Sequence, residues 1–244
     1  MKRLLCSFIL LWFIIIQTPQ AMAQTQFYKP LQSYAASLPG EFSQIDPERQ
    51  EALRAIGDYV VEKRKADLPV QITVICTHNS RRSHMGQLWL QAAAIYYGVP
   101  KVHTFSGGTE ATAFNPRAVA ALERAGFKIS KTNNASEPSN PLYETSLGQG
   151  LENYLLFSKK FSHPQNPQKE FAAIMVCSDA DAACPIVPGA DARFAIPYDD
   201  PKRFDGSPSE TPQYDARARQ IAREMFFVME YAKNQIAVWQ AGQK

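Results

Sequence analysis

Apolar residues in this 244-residue chain fall into three textures, and each predicts a different kind of element. Short runs of strand length occur at Val70 to Ile75, Lys101 to Phe105, Phe171 to Val176 and Arg193 to Pro197. Longer stretches carry apolar residues at helical spacing. Asp46-Pro47-Glu48 opens one that runs to Lys65, with Leu53, Ile56 and Val60 on one side, Asp46 placed to cap it and Pro47 suited to the first helical position. Others run from Met85 to a stop at Gly98, from Asn115-Pro116 through Val119 and Leu122 to Gly126, and from Pro212 to Gln240 with Ile221, Met225, Val228 and Tyr231 aligned. Alternating strands and helices predict an α/β fold in three layers, a four-stranded parallel sheet with helices on both faces, and ligands at the carboxyl ends of the strands. Two segments lack a clean period. Gln24 to Gln44 reads as an irregular lead-in, and Ser130 to Lys169, rich in Ser, Asn, Pro and Gly, reads as a functional flap or a surface insertion around one short periodic piece at Leu151 to Phe157.

The third texture is an unbroken apolar run, Leu4 to Ile16, with Lys2-Arg3 before it and Ala21-Met22-Ala23 after it. Basic, hydrophobic and small-x-small regions in that order predict a secretory signal peptide over residues 1–23. The run is shorter than the roughly 20 residues of a spanning helix, so no stable membrane span is expected after processing, and the product is expected in the periplasm or outside the cell. Residues 24–68 then form an N-terminal extension with one helix, and 69–244 a single catalytic domain interrupted by the insertion at about 130–169. Losing Lys2 and Arg3 lowers the formal charge of +3 by two. No dense basic block interleaved with aromatics remains, which argues against a nucleic-acid partner.

Cysteines narrow the picture. Cys6 leaves with the signal, while Cys76, Cys177 and Cys184 stay, and an odd count in an exported chain leaves at least one thiol free or exchanging. Cys76 follows the first strand directly, five residues separate it from Arg82, and a helix begins immediately afterwards. Cys-x5-Arg alone arises by chance. Between a strand and a helix, however, five residues wrap into a semicircle whose N–H groups point inward, a nest for a tetrahedral oxyanion at the positive end of a helix. Thr77, His78, Asn79, Ser80, Arg81, Arg82 and Ser83 are the candidate oxyanion-binding residues. That field favours the thiolate of Cys76 as nucleophile. Arg82 offers a planar fork for two oxyanion oxygens, Ser83 a hydroxyl for the sulfur, and Asn79 a side chain that tolerates positive φ. His84, His103 and His163 show no ligand spacing with the cysteines, so no metal site is expected, and surface or helix-terminal positions are their expected places.

The run Cys76-Thr-His-Asn-Ser-Arg-Arg82-Ser83 resembles the phosphate loop of low-molecular-weight protein tyrosine phosphatases and of the thioredoxin-coupled arsenate reductases that share their fold. Ser106-Gly107-Gly108-Thr109-Glu110 and Asn115-Pro116 extend the resemblance toward the C-terminal helix. It implies that Asp200, in Asp199-Asp200-Pro201, is a general acid; the local alternative is an ordinary Asp-Pro turn. Cys177-Ser-Asp-Ala-Asp-Ala-Ala-Cys184-Pro185 resembles the redox segment of the reductases. By that resemblance Cys76, Cys177 and Cys184 form a thiol relay for arsenate, with a mobile segment between Cys177 and Cys184. No tightly bound cofactor is implied, but an external thioredoxin-like reductant is. A fixed Cys177–Cys184 disulfide is the structural alternative, and it would leave a phosphatase acting on phosphotyrosine through Cys76, Arg82 and Asp200. A third class is an oxyanion-binding module without turnover. His78 and Arg81 depart from the reductase pattern, which has a glycine and a further cysteine there, so a more electropositive or differently shaped loop is expected. The tandem tyrosines that follow Asp-Pro in the phosphatases are absent, which favours the reductase.

Overall fold

The computed structural model describes residues 27–132, 138–184 and 186–243. The expected signal segment, and Pro185, lie outside the described residues. In chain order the elements are α1 (Lys29–Ser37), a 3-10 helix (Pro39–Gln44), α2 (Pro47–Lys65), β1 (Val70–Cys76), α3 (Arg82–Tyr97), β2 (Val102–Gly108), α4 (Pro116–Arg124), β3 (Lys128–Lys131), β4 (Tyr143–Ser146), β5 (Tyr154–Leu156), β6 (Phe171–Met175), α5 (Ser178–Ala183), β7 (Ala190–Ala195), a second 3-10 helix (Pro201–Phe204) and α6 (Glu210–Ala241).

The expected four-stranded parallel sheet forms in the order β2-β1-β6-β7. Its two central strands, β1 and β6, are buried nearly throughout; β6 accordingly reads as a continuous apolar run, while β1 carries the half-buried Gln71 and the buried Thr73 among its apolar residues. Helices pack around it: α3 lies against β1 and β2, α2 against β7 and β1, and α6 lies across α2, α3 and α4. Trp89 of α3 is fully buried at the meeting point, stacked on Tyr34 and edge-on to Phe127 and Phe226. Among the described residues no helix is long and apolar enough to cross a membrane.

Several expectations are corrected. The lead-in is not irregular: Leu31, Ala35 and Leu38 recur at helical spacing, each fully buried, and build α1 and the turn after it into the common core. Interspersed Tyr, Ser and Gly residues blur that period in the sequence. Asp46 makes no side-chain cap on α2, where Pro47 alone sets the first turn. Strand β2 does not turn at Ser106 but continues through Gly108, opposite Cys76 in register. The glycines are there for space. A Cβ on Gly107 would lie 2.4 Å from the Cα of Phe161, and one on Gly108 would lie 2.6 Å from the carbonyl of Thr77.

The segment at about 130–169 is partly ordered structure. β3, β4 and β5 form a separate antiparallel sheet. The chain then returns along the outer edge of β2, where the Gly108 amide donates to the Lys159 carbonyl and the Phe161 amide to the Gly108 carbonyl, both at 2.9 Å. This strap ties the insertion to the end of β2 that neighbours the loop after β1.

Candidate active site

Strand β1 delivers Cys76 to the sheet's carboxyl edge, and α3 begins at Arg82, so Thr77 to Arg81 must make the reversal alone. Asn79 takes φ of +44°, the left-handed conformation expected of it. Its amide donates to Ser83 Oγ at 2.9 Å, and Ser83 Oγ lies 3.1 Å from Cys76 Sγ. A hydroxyl that already accepts from an amide has its own hydrogen to give, so Ser83 is arranged to donate to the sulfur. Cys76 itself is only 3% exposed.

Arg82 is buried but oriented by two contacts at 2.8 Å: Nη1 donates to the Tyr198 carbonyl and Nη2 to Asp200 Oδ2. Asp200 accepts from the Lys202 amide through its other oxygen, so it caps the 3-10 helix at Pro201 as an Asp-Pro turn does and also faces the loop arginine. Thr77, His78, Arg82, Cys177, Asp179 and Asp200 are among the walls of a cleft of about 360 Å³. Its described lining residues are otherwise mostly acidic or polar, and the one phenol ring among them, Tyr198, has its hydroxyl turned away to Glu224 at 2.8 Å.

Four of the other loop residues turn away from the cleft. Arg81 does not add its charge to the cleft wall. Its Nε donates to the Tyr214 hydroxyl at 2.9 Å, and it lies 3.6 Å from Asp205 and 3.9 Å from Asp200. The extra positive charge expected from the sequence is therefore matched by carboxylates and used to brace the loop against α6. Asn79, Ser80 and Ser83 are buried in loop support, with the Ser80 carbonyl accepting from the Asn115 amide. His78 is nearly half exposed, 3.6 Å from Glu110. His84 is not at the surface but fully buried, stacked on Phe114 and 3.2 Å from Ser106 Oγ. Burial first, and the charge of Lys159 second, hold its pKa well below the ordinary histidine range.

Cys177 lies two residues past the end of β6, the strand beside β1, and its sulfur lies 3.3 Å from Thr77 Oγ1. It also caps α5, accepting the Ala180 amide at 3.4 Å. Cys184 stands at the other end of that helix, half-buried, and Cys76, Cys177 and Cys184 are all unbonded. Seven helical steps separate the two cap residues by on the order of 10 Å, beyond the roughly 7 Å Cα separation a disulfide allows. In this structure, therefore, the Cys177–Cys184 segment is a short helix closed to that bridge. Arg193 holds it there, donating to the Cys184 carbonyl at 3.0 Å and to the Asp181 carbonyl at 2.8 Å.

Sequence reasoning missed Arg193, which looks like any strand arginine, and it missed the strap. Ser158 Oγ donates to the His78 carbonyl at 2.9 Å and accepts the Thr112 amide, while the Lys159 amide donates to Asn79 Oδ1 at 2.8 Å. Only the length of the insertion hinted at such a role.

No family model matches the chain. It is similar in sequence to arsenate reductases: 28% identical over 130 residues to arsenate reductase 2 of Staphylococcus epidermidis, spanning 53% of this chain and 77% of that one. Against the arsenate reductase of Bacillus subtilis the identity is 28% over 148 residues, 61% of this chain and 86% of the relative. Among solved structures, a low-molecular-weight phosphotyrosine phosphatase from Vibrio cholerae O395 aligns over 72% of this chain and all of its own, at 13% identity and a TM-score of 0.45. The expected similarity to arsenate reductases is borne out.

Proposed function

We propose that this chain, a relative of arsenate reductases, reduces arsenate through the thiols of Cys76, Cys177 and Cys184. In this reading the anion enters the loop, and Arg82 releases Asp200 or shares it to grip two oxygens. The Cys76 thiolate attacks arsenic, and an oxygen leaves as water with a proton from Asp200. Cys177 then attacks the sulfur of Cys76. The electron pair of the breaking sulfur–arsenic bond passes to arsenic, arsenite departs, and a Cys76–Cys177 disulfide remains. Cys184 attacks Cys177 next and frees Cys76. A thioredoxin-like dithiol outside the cytoplasm reduces the Cys177–Cys184 disulfide by exchange, so arsenic detoxification follows without a bound cofactor.

The observation that carries the reading is the seat of Cys177: free, and within 3.3 Å of the residue next to Cys76. The helix between Cys177 and Cys184 adds a requirement. α5 must unwind before the last disulfide can close, and a six-residue helix is short enough to do so at small cost. The absence of an aromatic slot among the described lining residues supports a small inorganic anion over an aryl phosphate. A hydrolase reading, tyrosine phosphatase chemistry by Cys76, Arg82 and Asp200, draws on the Arg82–Asp200 contact instead.

Thiol mapping after exposure to arsenate separates the two. The reductase reading expects arsenate-dependent Cys76–Cys177 linkage in Cys184→Ser protein and at most one turnover from either the Cys177→Ser or the Cys184→Ser variant. Full aryl phosphate hydrolysis by both variants, with no arsenate-dependent linkage, would establish the hydrolase.

A further inference from the structure

Lys159 is the anomaly of the insertion. Its side chain belongs to a residue only 5% exposed, yet among the described residues no carboxylate lies within ion-pairing distance of its ammonium. Among the described residues the ammonium faces the ring of Phe157, 5.0 Å from Nζ to centroid, a cation–π contact that compensates burial only in part. Burial accordingly pushes the amine down to about 8. A buried cation that has only a ring to face among the described residues lowers the stability of the fold that contains it. Its position indicates what offsets that cost. The backbone of Lys159 is fastened to the loop on both sides: its amide donates to Asn79 Oδ1, and its carbonyl accepts from Gly108, whose α-carbon leaves less than a methyl's room beside Thr77 and Asn79. Its charge also acts on His84, in the first turn of the helix that follows the loop. The residue is thus fastened to the back of the segment that the loop reading assigns to an anion, with its ammonium near enough to His84 to act on it.

We propose that Lys159 is a positioning residue that serves as a fixed buried cation behind the Cys76–Arg82 loop, strengthening the binding of a doubly charged oxyanion without touching it. The proposal rests on the reading of that loop as an oxyanion site. In a poorly screened interior, a unit charge acts on a dianion across several ångströms. The empty protein carries the desolvation cost of the lysine, and the bound anion relieves it.

This makes a prediction with opposite signs for stability and for binding. Cys76 is alkylated with iodoacetamide, a neutral reagent, and followed by peptide mass spectrometry at increasing inorganic phosphate. The wild-type chain is compared with Lys159→Met, Lys159→Gln and Lys159→Arg. For the Met and Gln variants the half-protecting phosphate concentration is expected to rise about tenfold. Their unprotected alkylation rate is expected within about twofold of wild type and their thermal midpoint equal or higher, as loss of an unpaired buried charge requires. Lys159→Arg is expected to protect within about threefold of wild type, since it keeps the charge.

Unchanged protection in the neutral variants would overturn the proposal while leaving the loop reading intact. So would lowered midpoints together with faster unprotected alkylation, the signature of a packing role, and so would failure of both neutral variants to fold. If phosphate fails to protect Cys76 in the wild-type chain, the loop reading itself falls, and this proposal with it.

Discussion

Asn79 ties the loop both to Ser83 and to the strap, and replacing it separates conformation from hydrogen bonding. In Asn79→Ala three losses coincide. A residue with a Cβ must hold φ near +44°, which costs about 1 kcal/mol for alanine. The Lys159 amide loses its acceptor at 2.8 Å in a buried place, an orphaned donor worth about 1–3 kcal/mol. Ser83 loses the amide that orients its hydroxyl, worth about 1 kcal/mol. The expected destabilisation is about 4 kcal/mol, or roughly 10 °C in the midpoint for a domain of this size. Asn79→Gly removes the same hydrogen bonds but accepts the backbone conformation, so it should be milder by about 1 kcal/mol. Urea denaturation of the three proteins, with midpoints and slopes fitted together, measures both differences. A cost below 1 kcal/mol for Asn79→Ala, or equal costs for the two variants, would refute this account of the loop.

Three further outcomes are expected. Glu224 is 2% exposed and joins Arg49 at 2.9 Å to the Tyr198 hydroxyl at 2.8 Å, so Glu224→Ala should cost about 2–3 kcal/mol by leaving the buried Tyr198 hydroxyl without its acceptor and Arg49 with only the Pro197 carbonyl, readable by denaturation. Gly107→Ala should displace the strap, because its new methyl falls 2.4 Å from Phe161 Cα; accelerated proteolysis within residues 157–163, against an unchanged core, checks it. His84 has a folded pKa well below its unfolded value, so the unfolded chain binds a proton that the folded one refuses. Stability is therefore complete above about pH 6.5 and is lost below it at up to about 1.4 kcal/mol per unit, and His84→Gln should flatten that part of the profile.

The parts of the fold that local pattern controls were legible in advance. β1 is legible as a strand from its β-branched residues and β6 as a buried one from its uninterrupted apolar run, and the loop tasks of Asn79 and Ser83 follow from side-chain chemistry alone. What escaped depends on distant pairing. Nothing in Ser158-Lys159 announces that it will dock on His78 and Asn79, some 80 residues earlier. Arg81 could be counted as a loop cation from sequence, but its commitment to Tyr214 and Asp205 is a product of where α6 begins. α1 was hidden for a simpler reason: two buried residues in nine, Leu31 and Ala35, are too few to stand out among aromatics and serines.

That long-distance support has a consequence for the order in which the molecule matures. Synthesis releases Cys76 and its neighbours well before residues 158–161, so for the interval in which those last residues are missing the thiol sits in a slack, unshaped peptide. Reactivity is thereby deferred: the sulfur acquires its working environment only when the chain has been made past residue 161 of its 244 and has closed on itself.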